Sequence, residues 1–245
     1  MIEVCAYSLE SCLAAQRAGA GRIELCGGMA EGGTTPSAGL IQLARQYLTI
    51  PLFVMIRPRG GDFLYTDNEF TLMQTDIDVA RSLGADGVVL GILNADGTID
   101  EDRTRQLVEQ AHLLPVTFHR AFDMTRDAAE ALEAIIRTGA VRVLTSGQQP
   151  TAEAGIPLLG ELVKQAAGRI EIMAGAGVNA GNAERLWATG VDALHTSGSA
   201  RHKSHMQFRQ PAVSMASATP GEYERIEANE DKIRAITILR PGFRQ

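Results

Sequence analysis

"SLGADGVVL", residues 82–90, holds the end of an amphipathic run, a glycine at 84 and then a short apolar stretch. Glycine is favoured just past a helix end, where the backbone turns left-handed. The stretch therefore reads as helix stop, short loop, buried strand. The same pattern recurs as "AGAGRIEL" (18–25), "RTGAVRVLT" (137–145) and "ATGVDALHT" (188–196), with Gly19, Gly139 and Gly190 in the equivalent place. Four more strand candidates lie between them: "IEVCA" (2–6), "PLFVMIR" (51–57), "PVTFHR" (115–120) and "IEIMAGAG" (170–177). Helical patterns cover 8–18, 68–83, 102–114 and 126–138. Strands that are short and apolar on both faces pair in parallel and are covered by helices. Eight such strands in this length predict an α/β protein, a (β/α)8 TIM-type barrel, rather than an open doubly wound sheet. No linker-like segment divides the chain, so one domain is expected over residues 1–245, with a less characteristic C-terminal stretch, expected to be helical, from about residue 224.

Composition narrows the classes of function. The chain has 245 residues, 45% hydrophobic and 21% charged, which suits a sizeable core. A formal net charge of −6 argues against a nucleic-acid partner. No run of about 18 apolar residues predicts a membrane span. The opening "MIEVCAYS" lacks the basic region of a signal peptide, so the cytoplasm is the expected location. The cysteines are Cys5, Cys12 and Cys26, an odd number that speaks against a disulfide framework.

Barrels of this kind place their sites at the carboxyl ends of the strands. There the sequence sets Cys5 and Tyr7, then Cys26, then Arg57-Pro58-Arg59-Gly60-Gly61-Asp62, and then His119-Arg120-Ala121-Phe122-Asp123. Strands seven and eight end in "AGAGV" and "HTSGSA". Gly175, Gly177, Ser197 and Gly198 in those loops are candidates for anion binding, because glycines let backbone N–H groups approach an oxyanion. Arg57, Arg59 and Arg120 are the candidate cations for the same ligand. Side-chain alternation points Glu3, Cys5, Glu24, Cys26, Arg57, Thr117 and His119 into the barrel. A carboxylate there needs a partner. Arg57 is expected to answer Glu24 within the protein and Arg59 to face a ligand. Glu24, His119 and Asp123 are the candidate acid–base groups, with a structural charge network as the alternative for Glu24 and Arg57. The only lysines, Lys164, Lys203 and Lys232, avoid the ends of strands one to seven, which disfavours a Schiff-base aldolase.

Several longer segments then carry a resemblance. "MIEVCAYSLES", "RIELCGG", "EGGTTPS", "MIRPRGGDFLYTD", "PVTFHRAFDM", "RVLTSG", "IMAGAGV" and "MQFR" resemble, in the same order, the signature segments of the CutC copper-homeostasis family, over residues 1 to about 223. The resemblance implies a (β/α)8-type barrel, a cytoplasmic home, a homo-oligomer (dimer or tetramer) and a role in copper handling. It also implies a copper(I) site formed by Cys5 and Cys26. Cu(I) is soft and favours thiolates, and inward parity on neighbouring strands lets these two meet. Two functions are carried forward: a protein that binds Cu(I), and an enzyme acting on a small anionic, perhaps phosphorylated, metabolite. A barrel serving only as an interaction scaffold is the third.

Overall fold

The structure is a computed structural model and describes residues 1–213, 215 and 221–242. Eight strands run in parallel: β1 (Ile2–Ala6), β2 (Arg22–Leu25), β3 (Leu52–Met55), β4 (Gly87–Leu90), β5 (Val116–Phe118), β6 (Arg142–Thr145), β7 (Glu171–Ala174) and β8 (Ala193–Thr196). They close into a barrel, with β1 pairing β8 through Ile2↔Leu194, Glu3↔His195 and Val4↔Thr196. Helices α1 (Leu9–Arg17), α2 (Ala38–Tyr47), α3 (Asp67–Ser82), α4 (Glu101–Gln110), α5 (Ala128–Thr138), α6 (Ile156–Ala166) and α7 (Ala183–Trp187) follow the strands. This is the expected (β/α)8 architecture.

Local chemistry sets the element ends. The four repeated glycines, Gly19, Gly84, Gly139 and Gly190, all have φ between 84° and 89°, the left-handed conformation a helix stop requires. Ser8, Thr66 and Asp127 cap α1, α3 and α5, and Thr66 with Glu69 completes a reciprocal capping box. In two of the repeats an aspartate follows the glycine by two residues. Asp86 Oδ2 accepts from the Leu52 N–H at 2.9 Å and Asp192 Oδ2 from the Ile172 N–H at 2.8 Å. Each aspartate thereby ties the start of its own strand to the start of the strand before it.

Alternation divides the sheet into two faces. Ile2, Val4, Ile23, Leu25, Val54, Val88, Leu90, Phe118 and Val143 point outwards and pack with the helices in one large core. The inward face is chemically different. At the amino end of the barrel Phe53 lies under two guanidinium groups, Arg22 at 4.6 Å and Arg142 at 5.7 Å from its ring centre. Arg22 pairs with Glu3, while Arg142 donates to Glu171 at 2.7 Å and to Thr117 at 3.1 Å. Gly87, inward on β4, leaves room for this stack: a Cβ there would meet the Phe53 ring at 2.5 Å.

The C-terminal stretch adds a hairpin and a helix. β9 (Ser199–Lys203) pairs antiparallel with β10 (Glu224–Ala228), and α8 (Glu230–Thr237) follows. Of the segment expected to be helical from about 224, the first five residues form a strand. Residues 243–245 lie outside the described residues. Thr237 donates to the Ala18 carbonyl at 3.0 Å and Arg17 pairs with Glu230 at 3.0 Å, which docks α8 beside α1. Among the described residues no helix is long and apolar enough to cross a membrane.

Two stability measurements test this packing. Gly87→Ala overpacks the ring of a buried Phe53 and should cost about 2 kcal/mol, a fall in Tm of several degrees. An unchanged Tm would show that Phe53 does not occupy that position. Glu3 is buried, which by itself raises its carboxyl, yet the His195 hydrogen bond and the Arg22 charge hold it down at about 2. A carboxyl held below its ordinary value stabilises the fold above about pH 4.5, and that stability is lost as the pH falls towards 2. Glu3→Gln should cost about 3 kcal/mol in urea unfolding at pH 7. It should also flatten the loss of stability between pH 4.5 and 2; an unaltered acid limb would remove Glu3 from this role.

Candidate functional site

The carboxyl end of the barrel opens into a cavity of about 530 Å³. Of the residues singled out in the sequence, Cys5, Glu24, Arg57 and His119 line it from strands or strand ends. Arg120 and Asp123 line it from a short 3-10 helix (Arg120–Met124) after β5, and Gly177 and Ser197 from loops. Cys26 stands directly behind the wall, 1% exposed. Arg59, Gly175 and Gly198 are not among the lining residues.

Strand pairing places the sulfurs. Cys5 sits opposite Glu24 in the β1–β2 ladder, and Cys26, one residue past β2, donates its N–H to the Ala6 carbonyl at 2.9 Å. The two Sγ atoms lie 3.7 Å apart, and Cys26 Sγ is 3.6 Å from Glu24 Oε2. His195, from β8, faces the same group. Its Nδ1 is 2.7 Å from Glu3 Oε1 and its Nε2 is 3.7 Å from Glu24 Oε2. Two overlapping ligand sets result, Cys5–Glu24–Cys26 and Glu3–Glu24–His195, each with its donor atoms within 4.8 Å of one another. Glu24 belongs to both.

The electrostatics of this cluster are strongly coupled. The hydrogen bond with Cys26, against the opposing effect of burial, holds the Cys5 thiol well below its ordinary range; the Cys26 thiol is pushed well above its own by the same bond and by burial. Burial pushes the Glu24 carboxyl well up, and its Oε1 has no partner among the described residues. Burial works against a charge on His195, but Glu24, Cys5 and Glu3 together lift the imidazole well above its ordinary value. Burial raises the Tyr7 phenol, and the neighbouring Cys5 and Cys26 raise it further. Cys12, on α1, is buried away from the site, with its thiol pushed up to about 12 by desolvation.

The arginines differ from their sequence expectations. Arg57 does not pair with Glu24. Its guanidinium donates to the carbonyls of Glu31 and Gly33, each at 2.8 Å, and of Gly61 at 2.9 Å. Glu24 is opposite Phe53 in the ladder, and Arg57 lies four residues further along, about 13 Å at strand spacing. Arg59 does not present a free guanidinium to the cavity: it is held by Glu69 at 2.6 Å, by Asp62 at 3.0 Å and by the Leu64 carbonyl at 2.9 Å. Asp123 accepts from Thr145 Oγ1 at 2.5 Å, from the Ser146 and Gln148 N–H groups, and from Arg120 at 2.7 Å. It anchors the loop after β6 rather than standing free. The N–H of Gly175 is used by the Thr145 carbonyl at 2.9 Å, and a side chain on Gly198 would meet Ile233 at 2.4 Å.

His195 is the principal group that sequence reasoning missed. It lies in "HTSGSA", which was read for its glycine and serines. The signal was available: the parity that turns Glu3 inward on β1 turns His195 inward on β8, because the two are ladder partners.

Comparison with known proteins bears on the family and the fold. The family model described as "CutC family" matches residues 1–200. A Bacteroides fragilis protein named as a family protein CutC is 53% identical over 244 residues, covering 97% of each chain. The human "Copper homeostasis protein cutC homolog" is 46% identical over 241 residues, covering 98% of this chain and 88% of the human one. The crystal structure of a copper homeostasis protein CutC from Streptococcus agalactiae superimposes with a TM-score of 0.77 at 39% identity, over 80% of this chain and 98% of that one. By the family model over residues 1–200 and its likeness to these relatives over most of their length, the chain belongs to the CutC family.

Proposed function

We propose that this protein handles copper, taking Cu(I) as its cargo through Cys5 and Cys26. The observation that carries the reading is the pair of buried sulfurs 3.7 Å apart at the edge of an open cavity. Cu(I) is soft and prefers thiolates, and two sulfurs suffice for the low coordination it accepts. Of the two thiols Cys5 is the readier to lose its proton, because the hydrogen bond with Cys26 holds it well below its ordinary range. Glu24 and His195 stand beside the sulfurs as further donors. The names of the human and Streptococcus agalactiae relatives support the reading.

A reducing compartment suits such a site. All three cysteines are free, and Cys5 and Cys26 must stay reduced to bind a metal. The cytoplasm and a homo-oligomeric state complete the proposal, in line with the family resemblance.

In competition with a chromophoric Cu(I) chelator under reducing conditions, the protein should withdraw one equivalent of copper. The double variant Cys5→Ser/Cys26→Ser should lose at least a hundredfold in affinity, while Cys12→Ser should match the parent. Unchanged uptake by the double variant would overturn the proposal.

A further inference from the structure

The cavity also holds hydrogen-bond donors that the protein leaves unused. Arg57 is 6% exposed; among the described residues its guanidinium donates to backbone carbonyls and lies beside the neutral Tyr65 phenol and the Phe63 ring, 5.0 Å from the ring centre. No carboxylate among the described residues pairs with it. A buried cation answered only by neutral dipoles is costly unless an anion joins it. His119, beside it, is 4% exposed. Its Nδ1 accepts from the Ala121 N–H at 3.2 Å, so the neutral ring carries its proton on Nε2, which has no partner among the described residues. Desolvation and the Arg57 charge bring the imidazole down to about 3, which keeps it neutral.

The opposite wall supplies backbone donors. Ala176 and Gly177 take φ of +81° and +73°, which carries the chain off the strand direction just after β7. The N–H groups of Ala176, Gly177, Val178 and Ser197 donate to no acceptor among the described residues, and all four residues line the cavity. Backbone N–H groups left without acceptors can take up an oxyanion, and barrels commonly bind phosphate with the loops after their seventh and eighth strands. A volume of about 530 Å³ is also far more than one metal ion needs, and falls within the usual range for small-molecule pockets.

We propose that the barrel mouth binds a small phosphate ester. Its phosphate sits on the N–H groups of Ala176, Gly177, Val178 and Ser197, and an oxygen at its other end accepts from His119 Nε2–H. Arg57 supplies the compensating positive charge. This site is separate from the copper reading, since none of these groups is a copper ligand there.

The test is an amide-resolved NMR titration of the full-length, 15N-labelled protein with glycerol 3-phosphate, with glycerol, malonate and inorganic phosphate as controls. The expected result is saturable shifts centred on residues 176–178 and 197, with the ester binding more tightly than all three controls. Ser197→Glu places a carboxylate at an exposed position in the phosphate's place and should weaken binding at least tenfold. His119→Phe should weaken it about tenfold and still leave the shifts at 176–178. Shifts that never saturate, or that scatter over the surface, would overturn the proposal. So would malonate or inorganic phosphate binding as tightly as the ester. Copper competition on the same samples gives an independent readout, so either reading can fail while the other stands.

Discussion

Glu3 is the group around which the barrel closes. It is fully buried on β1 and is held on one side by Arg22 of β2 and on the other by His195 of β8. β1 and β8 are the first and last strands of the barrel, so this carboxylate ties the closing seam to the next strand along. A buried charge is tolerated only when its partners and hydrogen bonds are all in place, and a single missing partner leaves a costly orphan. The arrangement also fixes the imidazole: with Nδ1 bound to Glu3, Nε2 is left facing Glu24 and the sulfurs.

The interior of the barrel thus divides along its axis. The amino half is filled with paired charges around Phe53, which rigidify the seam without exposing a ligand site. The carboxyl half carries groups whose charges are shared or incomplete. The two thiols are shifted in opposite directions, and among the described residues Glu24 keeps an oxygen without a partner while Arg57 and His119 keep positive charge and a donor unanswered. Saturated groups serve the fold, while Glu24, Arg57 and His119, each with a buried polar atom left unpartnered among the described residues, line the cavity.

Much of this was legible in the chain. The glycine-punctuated repeats gave the strand count, because a helix stop and a buried parallel strand each impose a local residue pattern. Alternation then gave the inward faces of β1, β2, β3 and β5 correctly. What alternation cannot supply is height along the barrel, and the expected Arg57–Glu24 pair failed for that reason. Arg59 and Asp123 were misjudged for another: loop side chains are claimed by nearby carbonyls and N–H groups that only the folded loop brings together. The second half of the hairpin, residues 224–228, read as helical because its pairing with β9 is formed across a long insertion.

Copper handling as proposed requires the two sulfurs to act together on one soft ion. X-ray absorption at the copper edge of the Cu(I)-loaded protein is the decisive measurement. The first shell should contain two sulfur scatterers and lose one in Cys5→Ser and one in Cys26→Ser. A shell of nitrogen and oxygen alone, unaffected by either substitution, would contradict the proposal.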